Sequence, residues 1–482
     1  MKADSSAAPQ NDILIQSQRK KEQVKMSDEP LSLQLARHIT ALQFGQLPPD
    51  VVGAAKLHVL DSIGCLLAGT RLEPGKLAYR LASESNPSAS AGKSTLLGSG
   101  GSASYLDAVQ AMSVAAHCGE MDDIHSGAGI CIGGMIVPAL LGTAEKHGAT
   151  GRSFLEAVIA GYETVIRIAL CIDAPKLFAR GWWPSTICGA FGVAAAGAKF
   201  FGWSADRTAN VLGIASLHSG GMITGGSEGA TARHLAFGHA AQNGAQALLA
   251  AEQGFTGPKR AFEDPRGFCL TLCDEPRWEF LRDDKRYFLP EVAFKPYPCA
   301  RQLHAGVEAL LKILRRNHPD ADGIERIELS VPAQNAAMLD RPSITASHAA
   351  TVGSGQYVVA VTALRGKIDL KSFDEEFLGS DDVLSLMTKV KVVASADLDR
   401  HFPKYWPGRV SVKFASGEVS SAEVIIPKGE IGNPMGREDA EEKFSSLAAP
   451  IIGAENSRSV VQEIERLDAR DSLTRLLGFL RP

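Results

Sequence analysis

From Ser32 to Gly69 the apolar residues recur at three- and four-residue spacing, in LSLQLARHITAL and then DVVGAAKLHVLDSIGCLLAGT, which predicts two helices. Pro48-Pro49-Asp50 separates them, with Asp50 placed to cap the second. The Gly/Ser stretch GSGGSAS (98–104) reads as a loop and lacks the Lys-Ser/Thr ending of a phosphate cradle. Helix resumes from Tyr105 to Ala116. Uncharged runs rich in Gly, Ala, Ser and Thr then cover 126–144, 181–198 and 208–227. A helix with no polar face is buried in protein or in lipid. These runs are diluted by Gly, Pro and Ser, so no solid apolar span of about twenty residues results, and they predict central helices of a large α-domain and no membrane. FLEAVIAGYETVIRIAL (154–170) and HLAFGHAAQNGAQALLAAEQGF (234–255) read as amphipathic connectors between them.

After about residue 280 the period changes. IERIELSV (324–331), KVKVVA (389–394) and the two halves of 410–426 around Ser416-Gly417 alternate, the signature of strands and a hairpin. Helices over 304–316 and 355–366 lie among them. The expected architecture is mostly α: a tail over 1–26, a helical domain over 27–279, an α+β lid over 280–430, and a helical return over 431–482, with helices at 437–448 and 457–480, that rejoins the first domain.

At 482 residues the chain exceeds one ordinary core, in line with that division. Its net charge of −4 gives no electrostatic reason to expect nucleic acid. The first 25 residues are polar and broken by Asp4, Asp12 and Glu22, which argues against a signal peptide or a mitochondrial presequence. Met26 reads as a plausible start. The eight cysteines form no CxxC pair and lie mostly in apolar runs, so they read as free thiols in the cytoplasm, with no metal site expected.

The chemistry concentrates in HCGEMDDIHSGAGICIGGMIVP (117–138), where His117, Glu120, Asp122, Asp123, His125 and Cys131 abut an apolar run. Carboxylates beside such a segment need a partner or a purpose. Asp122 and Asp123 suit either proton transfer or capping of the helix expected to begin near Cys131.

This stretch, with GYETVIR (161–167), RGWWPSTICGAFGVAAAGAKFFG (180–202), GFTGPKRAFE (254–263), FKPYPCARQLHA (294–305) and PKGEIGNPMGREDAEEKF (427–444), resembles the MmgE/PrpD family over about residues 30–480. The resemblance implies a homodimer of two-domain subunits, an active site between the domains, no cofactor, and small di- or tricarboxylate substrates that react by proton removal beside a carboxylate. It places Glu120 as an active-site acid and keeps the Asp122-Asp123 pair. Cys131 and Trp183 stand where the family has histidines, Arg233 where it has lysine, and Ala236 where it has histidine.

Charge developing on the carboxylate oxygens must be neutralised, and Arg233, Arg180, Lys295 and Arg301 are the candidate cations, with His117 beside them by family placement. The candidate bases are His125, whose neighbouring acids would raise its pKa, then Asp122 or Asp123, and His304 in the lid. His218, within an apolar run, reads as a core histidine, and Cys131 as a buried thiol. The function expected is a cofactor-independent lyase, a dehydratase or decarboxylase. The alternatives are an epimerase or isomerase of the same kind of acid, as in the iminodisuccinate epimerase branch, and a catalytically silent metabolite-binding dimer.

Overall fold

A computed structural model describes residues 29–85, 93–317, 323–343 and 347–481. The tail expected over 1–26 lies outside the described residues. Two hydrophobic cores organise the chain. The first gathers apolar residues from Leu31 to Ala293, then Trp406 and Phe444 to Leu480, and is almost wholly helical. The second spans Cys299 to Val424 and includes the larger sheet. This is the mostly α architecture with a smaller α+β body that the periodicities imply.

In the helical body, α1 (Pro49–Gly69) and α2 (Tyr105–Cys118) pack against each other. They are followed by α3 (Gly133–His147), α4 (Gly151–Cys171), α5 (Pro184–Phe200) and α6 (Ala232–Glu252). α1 starts on Pro48-Pro49, with Asp50 in its first turn and no side-chain cap. It is long and apolar enough to cross a membrane by composition alone, but 67% of its most apolar window is buried inside the protein. Its Asp61 pairs with Lys443 at 2.5 Å from the C-terminal helix.

α4 is not the amphipathic connector its sequence suggests. It is buried along nearly its whole length, Glu163 and Arg167 included. Glu163 accepts the N–H groups of Phe288 and Leu289 at 2.7 and 2.9 Å, and Arg167 donates to the carbonyls of Phe280, Asp283 and Arg286. A segment more than a hundred residues away thus satisfies the polar side chains that made the helix look two-faced. The small residues of the uncharged runs permit close crossing: a Cβ on Gly161 of α4 would sit 2.9 Å from the Gly192 carbonyl of α5. The run 208–227 is central only in its first half. Helix Ala205–Ser216 is buried from Val211 to Ala215, but Leu217 and His218 are exposed, so His218 is not a core histidine. The chain there turns outward through Gly220 and Gly221 into a loop, away from the core that would have covered the ring.

The α+β body holds a four-stranded sheet. β5 (Ile324–Val331) pairs parallel with β6 (Val390–Ala394) and antiparallel with β7 (Gly408–Phe414), and β7 forms a hairpin with β8 (Val419–Val424). Helices α7 (His304–Asn317) and α8 (Gly355–Arg365) pack on the sheet. Two small hairpins sit in the helical body: β1 (Lys93–Leu96) with β2 (Gly101–Ser104), and β3 (Ile124–His125) with β4 (Ile130–Cys131). The stretch expected as a Gly/Ser loop is therefore half strand. Helix α9 (Arg437–Glu465), broken at Gly453 (φ 81°), returns the chain to α1. The expected helix over 457–480 is the end of α9, a short 3-10 turn and Thr474–Phe479.

Candidate active site

Helix α2 ends at Cys118 and delivers the chain to Glu120, which holds a left-handed backbone (φ 52°) rarely adopted by a non-glycine residue. Such conformations persist where surrounding contacts over-determine them. Here both oxygens of Glu120 are claimed: Oε1 lies 2.6 Å from the Arg233 guanidinium and Oε2 3.5 Å from Lys295 Nζ. Burial works against the Glu120 charge, but Arg233 and Lys295 outweigh it and hold the carboxyl well below the usual carboxylate range.

The two aspartates that follow turn to opposite sides. Asp123 Oδ1 accepts the N–H groups of Ile132 and Gly133 at 3.3 and 2.8 Å, where α3 begins, and Oδ2 accepts the Tyr162 hydroxyl at 2.6 Å and meets His58 Nδ1 at 2.8 Å. Gly133 must be glycine for this clamp, since a Cβ there would sit 2.1 Å from Ser62 Oγ and 2.4 Å from the Tyr162 oxygen. Burial opposes the Asp123 charge, but His58, Tyr162 and the backbone donors prevail and lower its pKa. Asp123 thus anchors the start of a helix and does not line the cavity described below.

Asp122 faces the other way. Its Oδ2 lies 2.9 Å from His117 Nδ1 and its Oδ1 3.4 Å from Lys295 Nζ. The carboxylate assigns the imidazole proton to Nδ1 and leaves the Nε2 lone pair available. Nε2 has no hydrogen-bond partner. The ring is held by stacking on Phe237, 4.0 Å between centroids and 11° between planes, with Trp183 at 5.4 Å. Lys295 is fully buried. Desolvation disfavours its ammonium, yet the Cys131 sulfur at 3.5 Å together with Asp122 and Glu120 raises its pKa above the ordinary lysine value.

A cavity of 670 Å³ lies between the two bodies, beside the His117–Asp122 pair. His117, Glu120, Cys131, Trp183 and Arg233 line it from the helical body, Lys295 from the segment that links the bodies, and Arg301, Asn335, Met338 and Arg341 from the α+β body. His117, Asp122 and Cys131 are the group of ligand atoms close enough for a cation among the described residues, all within 4.8 Å of one another. The Lys295 ammonium already supplies positive charge to that cluster.

The structure therefore brings together Glu120, Asp122, His117, Arg233 and Lys295, and separates the other candidates. His125 is buried off the cavity. Its Nδ1 accepts the Ala128 N–H at 3.0 Å, and burial pushes its pKa down to about 4, opposite to the rise expected from neighbouring acids. Those acids turn toward Lys295, His58 and Tyr162 and not toward His125. His304 accepts from Arg301 at 3.2 Å and donates to the Cys299 carbonyl at 3.2 Å, so neither ring nitrogen is available to a substrate. Burial and the adjacent Arg301 depress its pKa. Arg301 reaches the cavity edge but is engaged with Glu430 at 2.9 Å, an acid that Ser126 also contacts. Arg180 is half exposed, paired with Asp274 at 3.2 Å, and outside the cavity. A short turn, Ala174–Arg180, ends there with its last side chain facing water.

Arg341, His58 and Tyr162 were not legible as site residues. Arg341 comes from the lid and is defined only by the approach of the two bodies, where it donates to the Gly226 carbonyl at 2.7 Å. His58 and Tyr162 sit inside apolar helical patterns, and nothing local distinguishes them from core residues.

A large helical body, an α+β body closing over it, and a buried carboxylate–ammonium–imidazole cluster at the junction define a two-body fold with its candidate active site between the bodies. The chain matches the MmgE/PrpD N-terminal domain over residues 33–281 and the MmgE/PrpD C-terminal domain over residues 297–468, and it belongs to the MmgE/PrpD family. It is 28% identical to the cis-aconitate decarboxylase-like protein oryM of Aspergillus oryzae, over 93% of this chain and 97% of that one. It is 25% identical to a cis-aconitate decarboxylase of Aspergillus terreus (90% and 92%) and 27% identical to that of Homo sapiens (92% and 93%).

Proposed function

We propose that this chain is a cofactor-independent lyase of a di- or tricarboxylate, with decarboxylation as the reaction its relatives favour. The observation that carries the reading is the His117–Asp122 pair beside a cavity that also presents Lys295 and Arg233; the imidazole Nε2 makes no hydrogen bond and has Glu120 Oε1 3.8 Å away. An imidazole oriented by a carboxylate is a general acid–base positioned for one atom. In a decarboxylation the C–C bond to the departing CO₂ breaks, and its electron pair passes into the carbon framework conjugated with a remaining carboxylate. Lys295 and Arg233 neutralise the charge that grows on that carboxylate, and the imidazolium form of His117, carrying a second proton on Nε2, gives that proton to form the new C–H bond and returns to neutral imidazole. In a dehydration the same nitrogen removes the proton and the hydroxyl leaves. Asp122 stabilises the imidazolium in either case.

The test is CO₂ release and deuterium incorporation from a panel of di- and tricarboxylates in D₂O. Turnover with CO₂ or water loss supports the lyase, inversion with exchange and no elimination identifies an epimerase, and the absence of both across the panel refutes an enzyme. The eight unbridged cysteines support a reducing, cytoplasmic setting.

A further inference from the structure

The cavity has more volume than a small polyanion fills, and much of its lining is apolar. Its 670 Å³ lies well inside the ~300–1,000 Å³ range of pockets that enclose drug-sized ligands, whereas an unsubstituted tricarboxylate has only about a dozen heavy atoms. The two bodies are already in contact around it. Arg341 of the α+β body donates to the Gly226 carbonyl, and Trp406 packs into the core of the helical body.

The charges of the cavity are largely committed within the protein. Arg233 faces Glu120, Lys295 faces Glu120 and Asp122, and Arg301 faces Glu430. Arg341 donates to the backbone carbonyls of Met338 and Gly226, and it is the cavity cation without an ion-paired carboxylate among the described residues. Much of the remaining surface is hydrocarbon: Pro175, Phe178, Trp183, Ile223, Met338 and Trp406. Carboxylates stripped of water against such a surface are costly unless each finds a cation.

We infer that the substrate is a polycarboxylate carrying an apolar substituent, an alkyl chain of several carbons. The reacting end sits at Lys295 and Arg233, which it shares with Glu120 and Asp122, a second carboxylate on Arg341, and the chain against Phe178, Ile223 and Met338. This assignment rests on the lyase reading and names its substrate class.

The experiment is a series of unsaturated tricarboxylates substituted with hydrogen, methyl, butyl or hexyl, assayed for CO₂ release. kcat/KM is expected to rise roughly fourfold per added methylene, the burial of one CH₂ expressed as a ratio. Met338→Asp is expected to flatten that dependence. Turnover that is fastest on the unsubstituted acid and falls with chain length overturns the inference and leaves the lyase standing. Should no member react, calorimetry with saturated alkylsuccinates separates the two: affinity that tightens with chain length supports the substrate class while the lyase reading falls, and no binding at any length removes both.

Discussion

Asp122 Oδ2 lies 2.9 Å from His117 Nδ1, while the next residue, Asp123, points its carboxylate at the N–H groups of Ile132 and Gly133. Two adjacent acids of identical chemistry therefore do different work. One orients an imidazole at the cavity, and the other holds the start of a helix.

Asp122→Asn tests the first role. The amide is close in shape but presents an N–H as readily as an acceptor to Nδ1, which disturbs the tautomer that keeps Nε2 free. Turnover is expected to fall by roughly 10²–10⁴-fold, the scale of losing a general base or its orientation, with the melting temperature little changed. His117→Gln should match it. Wild-type kcat in either variant would remove the pair from the chemistry.

Asp123→Ala tests the second. The Tyr162 hydroxyl and the α3 N–H groups would lose their shared acceptor inside the protein, at about 1–3 kcal/mol for each donor left unpaired. Urea denaturation is expected to show the loss in the midpoint. A stable Asp123→Ala protein lacking activity would place Asp123 in catalysis after all.

Arg233→Met removes the closest cation of Glu120, at 2.6 Å. The carboxylate would stay buried with Lys295 at 3.5 Å as its remaining cation, and truncating one partner of a buried charge pair costs about 2–5 kcal/mol. KM is expected to rise or turnover to vanish with the fold retained. Arg233→Lys should recover part of the rate, because it keeps the charge and loses only the fork. Unchanged steady-state kinetics in the Met variant would exclude Arg233 from substrate binding.

His125 is neutral in the native protein, its pKa lowered to about 4 by burial from the ordinary 6.5. The unfolded chain then binds a proton that the native state refuses between those values. The stability contribution is complete above about pH 6.5 and is lost as the pH falls toward 4. His38 and His348, also lowered to about 4, act in the same direction. In His125→Asn the amide oxygen can still accept the Ala128 N–H, so melting temperature should fall less steeply than in the wild type over that window. Parallel curves would show that His125 is charged in the native state.

Leu217 and Met222 are 70% and 55% exposed along the loop that leaves the helical core, and Phe255 is 67% exposed. The family resemblance implies a homodimer, and we propose that these exposed apolar side chains belong to its interface. Light scattering at micromolar concentration should give twice the mass of one chain, and Leu217→Glu combined with Phe255→Glu should shift it toward the monomer. A monodisperse wild-type monomer would rule the dimer out.

Local periodicity was enough to establish the helices on either side of Pro48-Pro49, the 410–426 hairpin about Ser416-Gly417, and the presence of a smaller mixed body beside the helical one. Each depends on side chains a few positions apart, which any stretch of chain carries with it. The dense run from His117 to Cys131 was legible as a candidate site for the same reason: so many ionisable groups beside an apolar segment need partners. The choice of partners was not legible. Lys295 draws Asp122 toward the cavity, while Tyr162 and His58 draw Asp123 away from it. Phe288 and Leu289 make Glu163 a satisfied core acid, and their absence from the local pattern made α4 look like a surface helix. Arg341 joins the cavity only because the α+β body closes over the helical one. The direction of a side chain on a turn is a small conformational choice, decided by contacts from segments tens to hundreds of residues away, and those contacts exist only once the chain has folded.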